Sequence, residues 1–168
     1  MFSTNSYLKW DKIKNFIFGA ENSVIQNEKE NFELEIQFSL DGPEWINENS
    51  RLKGCTQHTL DTIYDLCKYT PEDLHYKVRV TTKSTVDAFY MGKMAENVEL
   101  IQEYFDFFNN LKNNANELAK NNSHIILDLL GAPTVVDPGF HTVEDGKNFA
   151  KFVKALRTNK FNNEILFN

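Results

Sequence analysis

Cysteine is scarce in this chain, and its two copies, Cys55 and Cys67, stand twelve residues apart. That spacing matches no familiar zinc or iron–sulfur pattern, so each reads as a buried or half-buried thiol. Seven glycines are present and none falls in a GxGxxG or GxxxxGK arrangement, which excludes a glycine-rich phosphate loop. The four histidines show neither HxH nor HxxxH spacing, so they offer no zinc pair. In His58-Thr59 and His141-Thr142 the two residues are adjacent, and their side chains would diverge. Two-histidine phosphoesterases need them two apart on a strand, reaching one phosphate. A serine nucleophile elbow is absent. There is no run of roughly 18 apolar residues to cross a membrane. Met1 to Lys14 lacks the basic-then-apolar order of a signal peptide. A surplus of positive charge is missing too: the net charge of −6 argues against general binding to nucleic-acid phosphates.

What remains is a single domain of 168 residues, with 41% hydrophobic and 25% charged side chains, the balance of a soluble folded protein. A cytoplasmic location is expected. The abundance of asparagine, lysine and phenylalanine fits an AT-rich phage or bacterial genome. The chain divides into a leading helix and loop over 1–31, three βα units over 32–158, and a tail over 159–168.

Apolar spacing predicts a first helix over 7–19, a second over 56–68 with Thr56 as its cap, a long third over 91–120, and a last over 143–158. Glu144 and Asp145 suit the start of that last helix, where the dipole favours negative charge. The stripe from Met91 to Leu118 is too wide for a strict coiled-coil seam, and core packing against a sheet is its expected fate. Strict alternation predicts strands over 34–41, 75–83 and 124–130. Helix and strand alternating in this way point to a mainly parallel sheet with right-handed crossovers.

The strands are not apolar on both faces, as fully buried parallel strands would be. Each carries a polar row: Glu35, Gln37 and Ser39; then Lys77, Arg79 and Thr81; then His124 and Asp128. Two readings of the rows stay open, a solvated barrel lumen or a two-layer sheet with one face in water.

The run Ser39-Leu40-Asp41-Gly42-Pro43, followed by Arg51, Gly54 and a helix from about Thr56, resembles the fourth strand and following segment of radical SAM enzymes. Arg79-Val80-Thr81-Thr82-Lys83 is similar to a fifth strand. Gly131-Ala132-Pro133-Thr134 and Val143-Glu144-Asp145-Gly146 are similar to a sixth strand and its helix. The resemblance implies an α/β fold, an incomplete TIM-type (β/α) barrel. It also implies S-adenosylmethionine as cofactor, with Ser39, Asp41, Arg79 and Thr81 beside it and Lys83 and Asp128 toward a small-molecule or peptide substrate. Arg51 reads more naturally as a loop-fixing salt bridge.

The family's 4Fe–4S cluster is held by a CxxxCxxC triplet, which this sequence lacks. The chain therefore reads as the later part of such an enzyme, a fragment or split subunit inactive alone. The cluster and first strands would then come from a missing segment or a companion chain. The other class of function is a non-catalytic α/β accessory or interaction protein. Neither reading involves a nucleic acid or a membrane.

Overall fold

Alternation along the strands decides which residues go inside. The computed structural model describes residues 2–4, 10–19, 33–71, 74, 76–129 and 142–159. Within them, β1 (Phe2–Thr4), β2 (Glu33–Ser39), β3 (Lys77–Lys83) and β4 (Ile125–Asp128) form one parallel sheet in the order β1-β2-β3-β4. Leu34, Ile36 and Phe38 on β2 and Val78 and Val80 on β3 are buried. Every second residue between them points to the other face, as strand geometry requires.

Among the described residues six helices accompany the sheet: α1 (Trp10–Phe18), α2 (Glu44–Ser50), α3 (Cys55–Tyr69), α4 (Ala88–Glu96), α5 (Val98–Ala119) and α6 (Val143–Thr158). Ile13 and Ile17 of α1, Ile63 and Leu66 of α3, and Tyr104, Phe105 and Phe108 of α5 share one core with the apolar strand residues. Parallel crossovers are right-handed, so strands taken in sequential order place their crossover helices on the same side of the sheet. The order found here has no reversal point, unlike a doubly wound sheet with helices on both faces. No described helix is long and apolar enough to cross a membrane.

Several expectations change. The fold is α/β with a parallel sheet, but the described sheet is open and has four strands rather than three, β1 being too short to leave a periodic signal. The long helix expected over 91–120 is two helices. It begins earlier, at Ala88, and breaks at Asn97, whose backbone is extended and whose side chain accepts the Glu99 N–H at 3.0 Å. An asparagine side chain that caps a new helix outweighs a continuous apolar stripe at this point. Val98 and Leu118, expected inward, are each 42% exposed, while Ile101, Tyr104, Phe105, Phe108, Leu111 and Ala115 are buried. Helix α2 lies between the Ser39–Pro43 run and Arg51, where no element was expected. Thr56 is not the cap of α3: Gly54 holds that position in a left-handed conformation, and Thr56 is buried in the first turn. At α6 the acidic start is part of a reciprocal capping box between Thr142 and Asp145. Residues 130–141, with the segment compared to a sixth strand and with His141, lie outside the described residues, as does the tail from 160.

Phe38 is fully buried under the helices. Phe38→Ala is expected to cost about 3–5 kcal/mol in urea unfolding, the usual range for deleting a core phenyl ring. Phe38→Leu should cost clearly less. Equal small losses for both would place this strand outside the core.

Candidate functional site

The polar residues of the sheet fall on one face, in rungs set by the strand register. From the amino ends upward, Glu33 pairs with Lys77 and Glu35 with Arg79; Gln37 pairs with Thr81, and Ser39 with Lys83. Ser3 of β1 is opposite Gln37, and Asp128 of β4 is opposite Thr81. One rung, Gln37-Thr81-Asp128, thus crosses β2, β3 and β4 with polar residues. Ile126, opposite Arg79, is the apolar interruption.

The two ends of this face differ electrostatically. Toward the amino ends, Arg79 donates from Nε and an NH2 group to the two carboxylate oxygens of Glu33 and stands 3.6 Å from Asp128. Hydrogen bonding to Arg79 holds the Glu33 carboxyl below its ordinary value, and the same bond raises the Arg79 guanidinium. Thr81 Oγ1 lies 3.4 Å from Glu35 Oε1. Toward the carboxyl ends the pattern stops. Among the described residues, Gln37, Ser39 and Lys83 are half-buried and make no side-chain hydrogen bond or ion pair.

Immediately beyond β2, the residues that resemble the family motif form a buried knot. Both nitrogens Nε and NH2 of Arg51 reach Asp41 Oδ2 at 2.9 Å, while Asp41 Oδ1 accepts the Thr85 N–H at 3.0 Å. Asn47 Oδ1 accepts the Asp41 N–H at 3.0 Å, and its Nδ2 donates to Thr56 Oγ1 at 3.1 Å and Cys55 Sγ at 3.3 Å. Ser84 Oγ donates to the Asp41 carbonyl at 3.0 Å and lies 2.9 Å from the Tyr104 hydroxyl. Gly42 has φ +153°, a backbone conformation that favours glycine, and a Cβ there would press on the Tyr104 ring at 3.0 Å and on Ile46 at 3.1 Å. Ile46 and Asn47 send their N–H groups to the Pro43 carbonyl at 2.9 Å, so proline opens α2. The knot therefore ties the β2 end, the start of α3 and the β3 end together.

Of the residues that the resemblance singles out, Ser39, Arg79, Thr81, Lys83 and Asp128 share the polar face. Arg79 and Asp128 are paired with each other there. Asp41 is 4% exposed and sits in the knot, with Arg51 as its partner, in line with a loop-fixing role for the arginine. Asn47, Ser84 and Tyr104 were not singled out from the sequence. Their polar groups meet residues six to 43 positions away, which leaves no local pattern.

The cysteines do not suit a cluster. Both lie on α3 and are buried, and burial pushes the Cys67 thiol up to about 12 and raises Cys55 as well. Iron–sulfur ligation needs thiolates. No group of three His, Cys, Asp or Glu side chains able to hold a metal ion gathers among the described residues. Comparison with protein-family models, with curated proteins and with solved structures gives no match.

Two outcomes follow from this geometry. Arg51→Ala takes the guanidinium away from the buried Asp41 carboxylate and should cost roughly 3 kcal/mol in chemical unfolding. Arg51→Lys should recover part of that, since an ammonium lacks the planar fork. A loss below about 0.5 kcal/mol, the level of a surface change, would show that the knot is not held by this pair. The thiol pKa gives a second test. Between its ordinary value of 9.0 and about 12, Cys67 keeps its proton when folded and loses it when unfolded. Stability should thus fall as pH rises from about 9. Cys67→Ala should flatten the first part of that fall, and an unchanged profile would contradict it.

Proposed function

We propose that this chain is the later part of a radical SAM enzyme, in which an incomplete (β/α) barrel binds S-adenosylmethionine and substrate along its polar strand ends. The observation that carries this reading is the row of polar side chains shared by parallel strands in sequential order, with the crossover helices on the opposite face. A partial barrel needs that winding, whereas a doubly wound sheet would cover both faces with helices. The motif at Ser39–Pro43, which resembles the family, stands at the carboxyl end of β2, the end where α/β sheets meet their ligands.

Ser39 and Thr81 would hydrogen-bond the ribose or carboxylate of the cofactor. Arg79, braced by Glu33 and Asp128, would set the electrostatic floor of the site. Asp41 would act from behind, holding the strand-end loops in one geometry. The cysteines of this chain do not fit the 4Fe–4S cluster, so radical chemistry belongs to a segment or companion chain that carries the cysteine triplet. This chain's own share is to bind and orient. A second reading, a non-catalytic accessory protein, draws support from the internal pairing of Arg79 with Glu33 and Asp128. A salt-bridged face needs no ligand.

Isothermal titration of the purified full chain with S-adenosylmethionine separates the two. Saturable one-to-one binding, weakened by Ser39→Ala, is the result expected of the enzyme fragment. No heat at millimolar cofactor would favour the accessory protein. Anaerobic reconstitution with iron and sulfide should leave the chain alone without a stoichiometric 4Fe–4S absorption. Such a signal from this chain would contradict the assignment of the cluster to another segment.

A further inference from the structure

The contrast between the two ends of the polar face has a consequence for ligand chemistry. Salt bridges and hydrogen bonds are satisfied around Glu33, Arg79 and Asp128. Lys83 is different: it is half-buried, and among the described residues it has no counter-charge. A partly desolvated ammonium without a partner is costly, and a bound anion relieves that cost. Ser39 is its register partner on the neighbouring strand, and Gln37 is one rung below on the same face. Paired strands are roughly 4.8 Å apart and one rung is about 6.6 Å along a strand, so the three groups span the size of a small polar ligand head. The Lys83 backbone is also fixed, its carbonyl accepting the Leu40 N–H at 2.9 Å. The Lys83 backbone is thus tied to the end of β2, while its ammonium has no partner among the described residues.

We propose that Lys83, Ser39 and Gln37 form an oxyanion subsite at the carboxyl end of the polar face. The ammonium supplies the charge, the Ser39 hydroxyl donates a hydrogen bond, and the Gln37 amide reads the neighbouring donor or acceptor of the same ligand. The inference rests on the reading of this face as a ligand site and narrows its ligand to one that carries a carboxylate or phosphate. That oxyanion belongs either to the methionyl end of the cofactor or to a separate substrate.

The test uses the full chain and amide chemical-shift mapping at Gln37, Ser39 and Lys83, with four probes: S-adenosylmethionine, its decarboxylated analogue, acetate and inorganic phosphate. Lys83→Met keeps the aliphatic stem and removes the charge, and Lys77→Met at the far end of the same face is the control. Thermal melting checks that each variant is folded. If the oxyanion is the cofactor's own, Lys83→Met weakens S-adenosylmethionine at least tenfold and leaves the decarboxylated analogue unchanged. If it belongs to a substrate, Lys83→Met leaves the cofactor unchanged and abolishes the shifts caused by acetate or phosphate. Gln37→Leu should weaken the same probe by roughly three- to tenfold, the worth of one hydrogen bond. Shifts with phosphate but none with S-adenosylmethionine would keep the subsite and remove the cofactor assignment. The proposal is overturned if no probe shifts these amides in the wild-type chain, or if Lys77→Met matches the effect of Lys83→Met.

Discussion

The pairing of β2 with β3 is the constraint from which the rest follows. Seven residues of each strand run in register, from Glu33 opposite Lys77 to Ser39 opposite Lys83. Side chains alternate across a strand, so one register fixes both faces at once, and a slip of one residue would exchange them. The apolar face is buried under α1, α3 and α5. Its burial therefore obliges Glu35, Gln37, Ser39, Arg79, Thr81 and Lys83 to gather on the other side. The polar face is a by-product of core packing before it is anything else.

The knot behind that face turns a sheet edge into a defined rim. Asp41 uses both carboxylate oxygens, one toward Arg51 and one toward the Thr85 N–H. Asn47 continues the path into the first turn of α3, and Ser84 continues it to Tyr104 in the core. Burial pushes the Tyr104 phenol upward, so it stays neutral and able to serve as donor or acceptor. Buried polar groups that are fully satisfied specify geometry more than they add stability. In this chain they hold the ends of adjacent strands together, beside Gln37, Ser39 and Lys83, which make no side-chain hydrogen bond or ion pair among the described residues.

Much of this was legible in the sequence, for identifiable reasons. The strands β2 and β3 announce themselves by strict alternation, and α3 and α6 by helical spacing. The sharing of one face by Ser39, Arg79 and Asp128 follows from the same period of two. What was not legible depended on long-range or single-residue effects. Helix α2 has seven residues and too few apolar positions to show a period. The break at Asn97 rests on one capping side chain within an otherwise continuous stripe. Strand β1 has three residues and gains its place only by pairing with β2. The roles of Asn47 and Tyr104 depend on partners distant in the chain, which no local pattern records. Of the site, the residue types on the polar face were readable; which of them are already paired was not.

The central claim is that the polar face of the sheet, not the helical side, receives the ligand. Intermolecular nuclear Overhauser effects between the full chain and the adenosine protons of S-adenosylmethionine test it most directly. The account predicts contacts from the adenosine to side-chain protons of Gln37, Ser39 and Thr81. Contacts confined to the outer surface of α3 or α5, or none at saturating cofactor, would contradict it.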